Sequence, residues 1–135
     1  MRGTGVAAGL VLILAPGHGF AHHSIAALYD RARAVSVKGR LVSVELVNPH
    51  SKIEIEVSGP GGRVVTWKVE TAGVMRMRSL GLQADTLRIG DPITAVGYPS
   101  HSGDRTAWLT RLETPDRVYD FSQRGTPAPR PIPAN

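Results

Sequence analysis

The sequence predicts an all-β domain with one short helix, and three observations lead to this fold class. Between residues 35 and 114, apolar and polar side chains alternate in short runs that glycine and proline separate, which is typical of strands with one face in a core. One stretch without alternation, residues 73–81, ends at a glycine, where helices commonly stop. The order of three strands, a helix and two strands indicates a small five-stranded OB-like Greek-key barrel, although a five-stranded sandwich would have almost the same pattern.

The first strand is expected to be long and bent. Val35 and Val37 occupy odd positions, whereas beyond Gly39 the apolar residues are Val42, Val44 and Leu46. Because alternate residues face opposite sides of a strand, this change of parity at a glycine predicts a bulge or a sharp coil.

The next two strands are expected to form a hairpin. In residues 53–57, two isoleucines and a valine alternate with Glu54 and Glu56, so the apolar side chains should face the core and the glutamates water. Residues 58–62 are rich in glycine and suit the connection. The inner face of the third strand is predicted to be Val65, Trp67 and Val69.

Two further strands complete the predicted barrel domain of residues 35–114. A turn at residues 87–92 leads into the fourth strand, residues 93–98, and a Ser/Gly hairpin leads into the fifth, residues 107–112. Residues 115–135 follow, with prolines at alternate positions near the end, and are predicted to be an extended, disordered tail.

Residues 1–21 have the three parts of a cleavable signal peptide. Arg2 gives a basic start, residues 6–15 are apolar, and small residues stand at both positions needed for cleavage after Ala21. Cleavage after Ala15 competes, and a retained anchor is the alternative, but the apolar run is much shorter than the roughly 20 residues that span a membrane. We therefore expect a periplasmic or secreted protein without a transmembrane segment in the mature chain.

The composition limits which ligands, nucleophiles and partners a functional site can have. The chain has no cysteine, which excludes disulfides, thiolate metal ligands and cysteine nucleophiles. The formal charge at pH 7 falls from +5 to +4 once Arg2 is removed with the leader. Arginines are scattered and few aromatic residues accompany them, so nucleic acid is not expected as a partner, and an anionic small ligand or envelope surface is a weaker electrostatic interpretation.

The mature chain would begin at His22, in an N-terminal segment at residues 22–34, and this start could bind a metal ion. The α-amine and imidazole of a terminal histidine can chelate one ion, and a second imidazole would complete three nitrogen ligands. Copper favours such tetragonal nitrogen coordination. The second imidazole is expected from His50, in an Asn-Pro-His turn, with His23 as a reserve ligand.

Other interpretations of these side chains stay open. His22 and His23 could form a frayed polar terminus, and His50 could simply cap a turn. Met75 and Met77 are soft candidate ligands, but their i, i+2 spacing directs them to different sides of a helix, which favours core or surface packing.

Nothing in the sequence favours a catalytic residue. Ser24 and Ser51 each neighbour a histidine, but no glycine pattern of a nucleophile elbow surrounds either serine. His101 lies in the Ser/Gly hairpin and is expected to be exposed to solvent. We therefore expect a binding protein rather than an enzyme.

The chain resembles an uncharacterised family of short exported bacterial proteins. The resemblance rests on His-His-Ser at residues 22–24, on Asn-Pro-His at residues 48–50 and on the Gly-Asp entry into the fourth strand, and it covers roughly residues 22–115. The resemblance indicates where in the chain a site lies, but it implies no activity, substrate or ligand. This sequence departs from the family pattern in its long tail and in following Asn-Pro-His with Ser51 and Lys52, where an aromatic residue would be expected nearby.

These observations favour an exported periplasmic protein that binds a metal ion, with copper as the expected cofactor, as a carrier or sensor. The alternative is a metal-free OB-like module that binds another envelope protein or an anionic envelope ligand through Arg76, Arg78 and the tail. A copper enzyme would also need an open coordination position and a substrate surface, and the sequence indicates neither.

Overall fold

Five long strands with inward apolar and outward polar residues build the domain. The computed structural model of the protein describes residues 24–122 and the backbone of Ile132–Pro133. The elements in chain order are α1 Ile25–Leu28, β1 Val35–Glu45, β2 His50–Ser58, a 3-10 turn at Pro60–Gly62, β3 Val64–Ala72, α2 Val74–Ser79, β4 Pro92–Pro99, β5 Thr106–Glu113, β6 Val118–Asp120 and β7 Ile132–Pro133.

The strands close into a ring because β1 is long enough to have two neighbours. Residues 35–40 of β1 pair antiparallel with β4, and residues 40–45 pair antiparallel with β2. β3 pairs antiparallel with β2 and parallel with β5, and β5 pairs antiparallel with β4. The order β2-β3-β5-β4-β1 thus returns to β2. The predicted five-stranded OB-like barrel, with a short helix between its third and fourth strands, is confirmed.

Aliphatic side chains from all five strands fill the barrel. Met77 of α2 is 0 % exposed and joins them, so α2 packs on the interior with one side chain. The glutamates of β2 point outward as expected. The fully or almost fully buried strand residues include Val37, Leu41, Ile53, Ile55, Val69, Ile93, Ala95, Leu109 and Leu112.

The change of parity in β1 occurs later than the sequence predicts. Leu41 is 0 % exposed and still follows the odd-numbered inward pattern, and the register with β2 shifts between Leu41 and Ser43. The bulge therefore lies after Leu41, and the expected switch at Gly39 is wrong. Gly39 has a different role, because a Cβ there would overlap the carbonyl oxygen of Glu56 and lie 2.8 Å from the Ile55 Cγ2 atom. The glycine lets β1 cross β2 closely.

The region after the barrel differs in part from the extended tail that was expected. β6 pairs with the end of β5, and its central residue, Tyr119, is 4 % exposed and part of the core. A turn closed by a hydrogen bond from the Thr114 hydroxyl to the Arg117 carbonyl, 3.0 Å long, brings the chain back to β5. The buried aromatic side chain of Tyr119 stabilises β6. The prolines that follow in the sequence obscure this strand. β7 pairs parallel with residues 35–36 of β1. Residues 123–131 and 134–135 lie outside the described part.

In the described residues, no helix has the length and apolar character needed to cross a membrane. The two α-helices there, α1 and α2, have four and six residues.

Two buried threonines should respond oppositely to loss of their hydroxyl groups. Thr71 is 1 % exposed, and its hydroxyl has no hydrogen-bond partner among the residues described, whereas the Thr110 hydroxyl donates a 3.1 Å hydrogen bond to the Val96 carbonyl. Thr71→Val should raise the free energy of unfolding by about 1 kcal/mol, and Thr110→Val should lower it by about 1 kcal/mol. Urea unfolding of the purified variants measures both changes; equal destabilisation by the two would contradict this interpretation.

Candidate metal-binding site

The Asn-Pro-His turn is attached to the start of α2, and this attachment fixes where His50 lies. The Asn48–Pro49 peptide is cis. The Asn48 side-chain oxygen accepts a 3.1 Å hydrogen bond from the backbone N–H of Val74, so it satisfies one free donor at the helix start. A Cβ at residue 73 would overlap that side-chain oxygen, so only glycine fits there. His50 then opens β2 opposite Ala72 of β3.

The His50 imidazole lies on the outer face of the barrel between an acidic and an aromatic side chain. Its Nδ1 is 3.8 Å from the Glu70 Oε2, and its ring meets the Trp108 ring edge-on, with centroids 4.9 Å apart and an interplanar angle of 81°. The side chains of His50 and Glu70 are 41 % and 30 % exposed. The imidazole is thus held on two sides and open to solvent on another.

Strand register explains why these three side chains meet. Glu70 of β3 pairs with Trp108 of β5, and Ala72, two residues further along β3, pairs with His50. Residues two apart on a strand face the same side, so the pairing brings both neighbours onto the outer face beside the turn. The aromatic side chain beside His50 thus comes from β5 and not from the residues that directly follow the turn.

The N-terminal arm, residues 24–34, docks against the same end of the barrel. Tyr29 is 5 % exposed, and its ring centroid lies 5.9 Å from that of Trp108. Burial raises the pKa of the Tyr29 hydroxyl strongly, and the charge of Glu70 and a hydrogen bond to Glu70 raise the pKa further. Glu70 is therefore shared by a residue of the arm and by the turn histidine.

The β4–β5 hairpin holds the arm through its backbone. Tyr29 forms an isolated antiparallel bridge with Ser100, and the Asp30 N–H donates to the Pro99 carbonyl over 2.9 Å. The His101 N–H donates to the Leu28 carbonyl over 3.0 Å, and the His101 Nε2 lies 3.3 Å from the Ala26 carbonyl oxygen. His101 is exposed, as the sequence indicated, but it also contacts α1.

Of the three predicted ligands, only His50 belongs to the described residues. His22 and His23 lie outside them. Within residues 24–122, no group of three or more histidine, cysteine, aspartate or glutamate side chains is arranged to hold a metal ion. Sequence reasoning missed Glu70, Trp108 and Tyr29. The outward position of Trp108 between two inward residues of β5 was the one available signal.

The two methionines of α2 lie on different sides of the helix, as their spacing predicts. Met77 is buried in the core, and Met75 is 75 % exposed.

The outer face of β1, β2 and β3 carries alternating charges beside this site. Lys52 stands between Glu45 of β1 and Glu70 of β3 in the strand register. In the next row, the Lys68 ammonium lies 3.7 Å from the Glu54 carboxylate. A shallow trough of about 270 Å³ runs between the rows, lined by Ser43, Glu45, Lys52, Glu54, Lys68 and Glu70.

Comparison with known proteins places the chain in a family. A family of unknown function, DUF6152, matches residues 11–109. The chain belongs to this family. The match covers most of the barrel and both the His-His-Ser and the Asn-Pro-His sequences, so the resemblance to an uncharacterised family is confirmed for DUF6152. A search of curated proteins finds no match.

Solved structures similar to this DUF6152 member share little sequence with it. The mitochondrial single-stranded DNA binding protein Rim1 of S. cerevisiae is 10 % identical, with a TM-score of 0.47, and the similarity covers 70 % of this chain and 98 % of Rim1. The second single-stranded DNA binding protein, SSBb, of Mycobacterium smegmatis is 13 % identical, with a TM-score of 0.44, and covers 62 % of this chain and 89 % of that protein.

Loss of the Asn48 side chain should weaken the turn that carries His50. Asn48→Ala leaves the Val74 N–H without its acceptor, so it should lower the free energy of unfolding by about 1 kcal/mol. Asn48→Asp keeps the acceptor oxygen and should cost less. Thermal or urea unfolding of both variants measures the difference, and an alanine variant as stable as the wild type would show that the contact does not hold the turn.

Proposed function

We propose that this DUF6152 member is an exported periplasmic protein that binds copper through the amine and imidazole of His22 together with the imidazole of His50, as a carrier or sensor. One observation carries the proposal. His50 is a half-exposed histidine held between Glu70 and Trp108, at the end of the barrel where the N-terminal arm docks.

The length of the arm supports the proposal. Ile25, at the start of α1, lines a small hollow together with Trp108, whose ring lies 4.9 Å from the His50 ring. His22 precedes Ile25 by three residues, which can span up to about 10 Å. The proposed site requires these residues to bring the His22 amine and imidazole to the open side of His50.

The ligand chemistry favours copper over the other common metal ions. The amine and two imidazoles are three neutral nitrogen donors, and tetragonal nitrogen coordination is typical of Cu(II). The chain has no thiolate to offer zinc a sulfur-rich site. A carrier or sensor needs only reversible binding, and reversible binding is the proposed activity.

Copper titration tests the site directly. Exported, processed protein, with its terminus checked by intact mass, should bind one Cu(II) with a tetragonal, nitrogen-rich EPR spectrum. His50→Gln should lower the affinity by at least about tenfold, because one nitrogen ligand is lost. A mature chain acetylated at its α-amine should lose the site, because the resulting amide nitrogen cannot chelate together with the His22 imidazole. Unchanged affinity in the acetylated protein would overturn the proposed amine ligand.

Trp108 provides an optical test that depends on where the copper binds. Bound Cu(II) should quench Trp108, whose ring adjoins His50, far more than Trp67. Trp67 is buried in β3, five residues before Ala72, or roughly 17 Å along the strand at about 3.4 Å per residue. Trp108→Phe, which leaves Trp67 as the reporter, should therefore remove most of the quenching. Strong quenching that persists in this variant would mean that copper binds elsewhere.

The second candidate function is a metal-free OB-like module that binds an envelope protein or an anionic envelope ligand. Its support is the surface of α2, where Arg76 and Arg78 are exposed next to Met75. Exposed arginines beside an apolar side chain are common at protein interfaces. A His50→Gln variant that complements a deletion of the gene in the host, together with an Arg76→Ala, Arg78→Ala variant that does not complement it, would favour this candidate.

Nucleic acid is not part of the proposed function. The trough on the outer face of β1, β2 and β3 has three glutamates and two lysines, so its charge does not attract a phosphate backbone. The proposed export to the periplasm also separates the protein from cellular nucleic acid.

A further inference from the structure

We propose that Glu70 is a positioning residue that selects the tautomer of His50, and that Tyr29 couples this selection to docking of the N-terminal arm. In this arrangement Glu70 accepts a hydrogen bond from the His50 Nδ1–H and another from the Tyr29 hydroxyl. The His50 Nε2 is then unprotonated and available to a ligand. This inference concerns the same residues as the proposed copper site. It rests on the proposed function only in the experiment that uses copper as a probe.

The geometry of the His50–Glu70 pair supports the first part. The Nδ1 to Oε2 separation is 3.8 Å, longer than a hydrogen bond, so the proposed hydrogen bond requires the half-exposed Glu70 carboxylate to turn toward the ring. Trp108 contacts the imidazole edge-on and restricts its rotation about the side-chain bonds. Nδ1, rather than Nε2, is the ring nitrogen nearest the carboxylate, so the carboxylate favours the proton on Nδ1.

Glu70 has another potential partner, and the structure does not use it. Lys52 stands opposite Glu70 in the β2–β3 register, and such cross-strand pairs often form ion pairs. Among the described residues, the ion pair of Glu70 within 4.0 Å is the one with His50, while Lys68 pairs with Glu54. Glu70 thus lines the trough but forms its closest charged contact with the turn histidine.

Tyr29 gives the carboxylate a second fixed point. Its ring is buried against Trp108, and its hydroxyl is within reach of Glu70, which contributes to the raised pKa of that hydroxyl. In the proposed arrangement the Tyr29 hydroxyl donates to one carboxylate oxygen of Glu70, and the other oxygen accepts from His50. Arm docking and the His50 tautomer then share one side chain and affect each other.

The tautomer can be measured without any metal. In the metal-free wild type at pH 8, nitrogen-15 chemical shifts should show His50 protonated at Nδ1. Glu70→Ala should shift the population toward the Nε2–H form, and Glu70→Gln, which keeps a weaker neutral acceptor, should give an intermediate population. Glu54→Ala, an outer-face glutamate of β2 paired with Lys68, is the matched control and should leave the tautomer unchanged.

The coupling to the arm has its own measurement. Tyr29→Phe removes the hydroxyl and keeps the ring, so the fold and the Trp108 contact should persist while amide exchange in α1 becomes faster and the Nε2–H population of His50 rises. Wild-type exchange in α1 together with an unchanged tautomer would overturn the role of Tyr29. A wild-type His50 protonated at Nε2, or a tautomer that Glu70→Ala does not change, would overturn the role of Glu70.

Copper then separates this inference from the proposed function. If both hold, Glu70→Ala should lower copper affinity by roughly 10–100-fold, as loss of an outer partner of a ligating histidine usually does. The Glu54→Ala control should bind as the wild type. If copper does not bind to any variant while the tautomer responds as expected, the positioning role stands and the copper site fails. If copper binds equally to the wild type and Glu70→Ala, the positioning role fails and the copper site stands.

Discussion

The parallel pairing of β3 with β5 is the constraint on which the rest of the structure depends. Three residue pairs form it, Lys68 with Thr106, Val69 with Ala107 and Glu70 with Trp108. It closes the barrel, because without it β3 and β5 would both be open edges. Val69 and Ala107 are each 1 % exposed, so the central pair faces the core. A slip of one residue would turn Trp108 inward, which the packed core does not permit.

The site is therefore a consequence of how the core packs. With Val69 and Ala107 inside, Glu70 and Trp108 must lie outside and adjacent. The approach of β4 to β5 adds to this, since a Cβ at Gly97 would overlap the Trp108 carbonyl oxygen and only glycine allows the strands to come so near. The β4–β5 hairpin that results offers the Pro99 carbonyl and the backbone of Ser100 and His101 to the arm. The barrel provides the docking surface, and the arm adds Tyr29 to it.

Much of the fold could be predicted from the sequence, because alternation is a local property. The inward and outward sides of β2 and β3 follow directly from Ile53 to Val57 and from the run around Trp67. The bulge in β1 was placed two residues early, since Leu41 and Val42 are adjacent apolar residues and either could face the core. Only the register with β2 decides between them. β6 was missed because its single buried side chain, Tyr119, gives too short a pattern to outweigh the prolines nearby.

The site was less predictable than the fold because its members are far apart in the chain. Local turn chemistry identified His50, but Glu70, Trp108 and Tyr29 meet it only through pairings between strands. Nothing in periodicity specifies that β3 lies beside β5, since this follows from closure of the whole ring. An outward tryptophan on a strand whose neighbours are inward was a signal of a surface contact, but not of its partner.

The surroundings of Glu70 and His50 favour a ligand at this place. Glu70 lies near the Tyr29 hydroxyl and, together with burial, raises the pKa of that hydroxyl. The His50 side chain is 41 % exposed and adds little to the core. Its edge-on contact with Trp108 restricts the imidazole, which costs side-chain entropy. Binding at the free ring nitrogen would offset that cost.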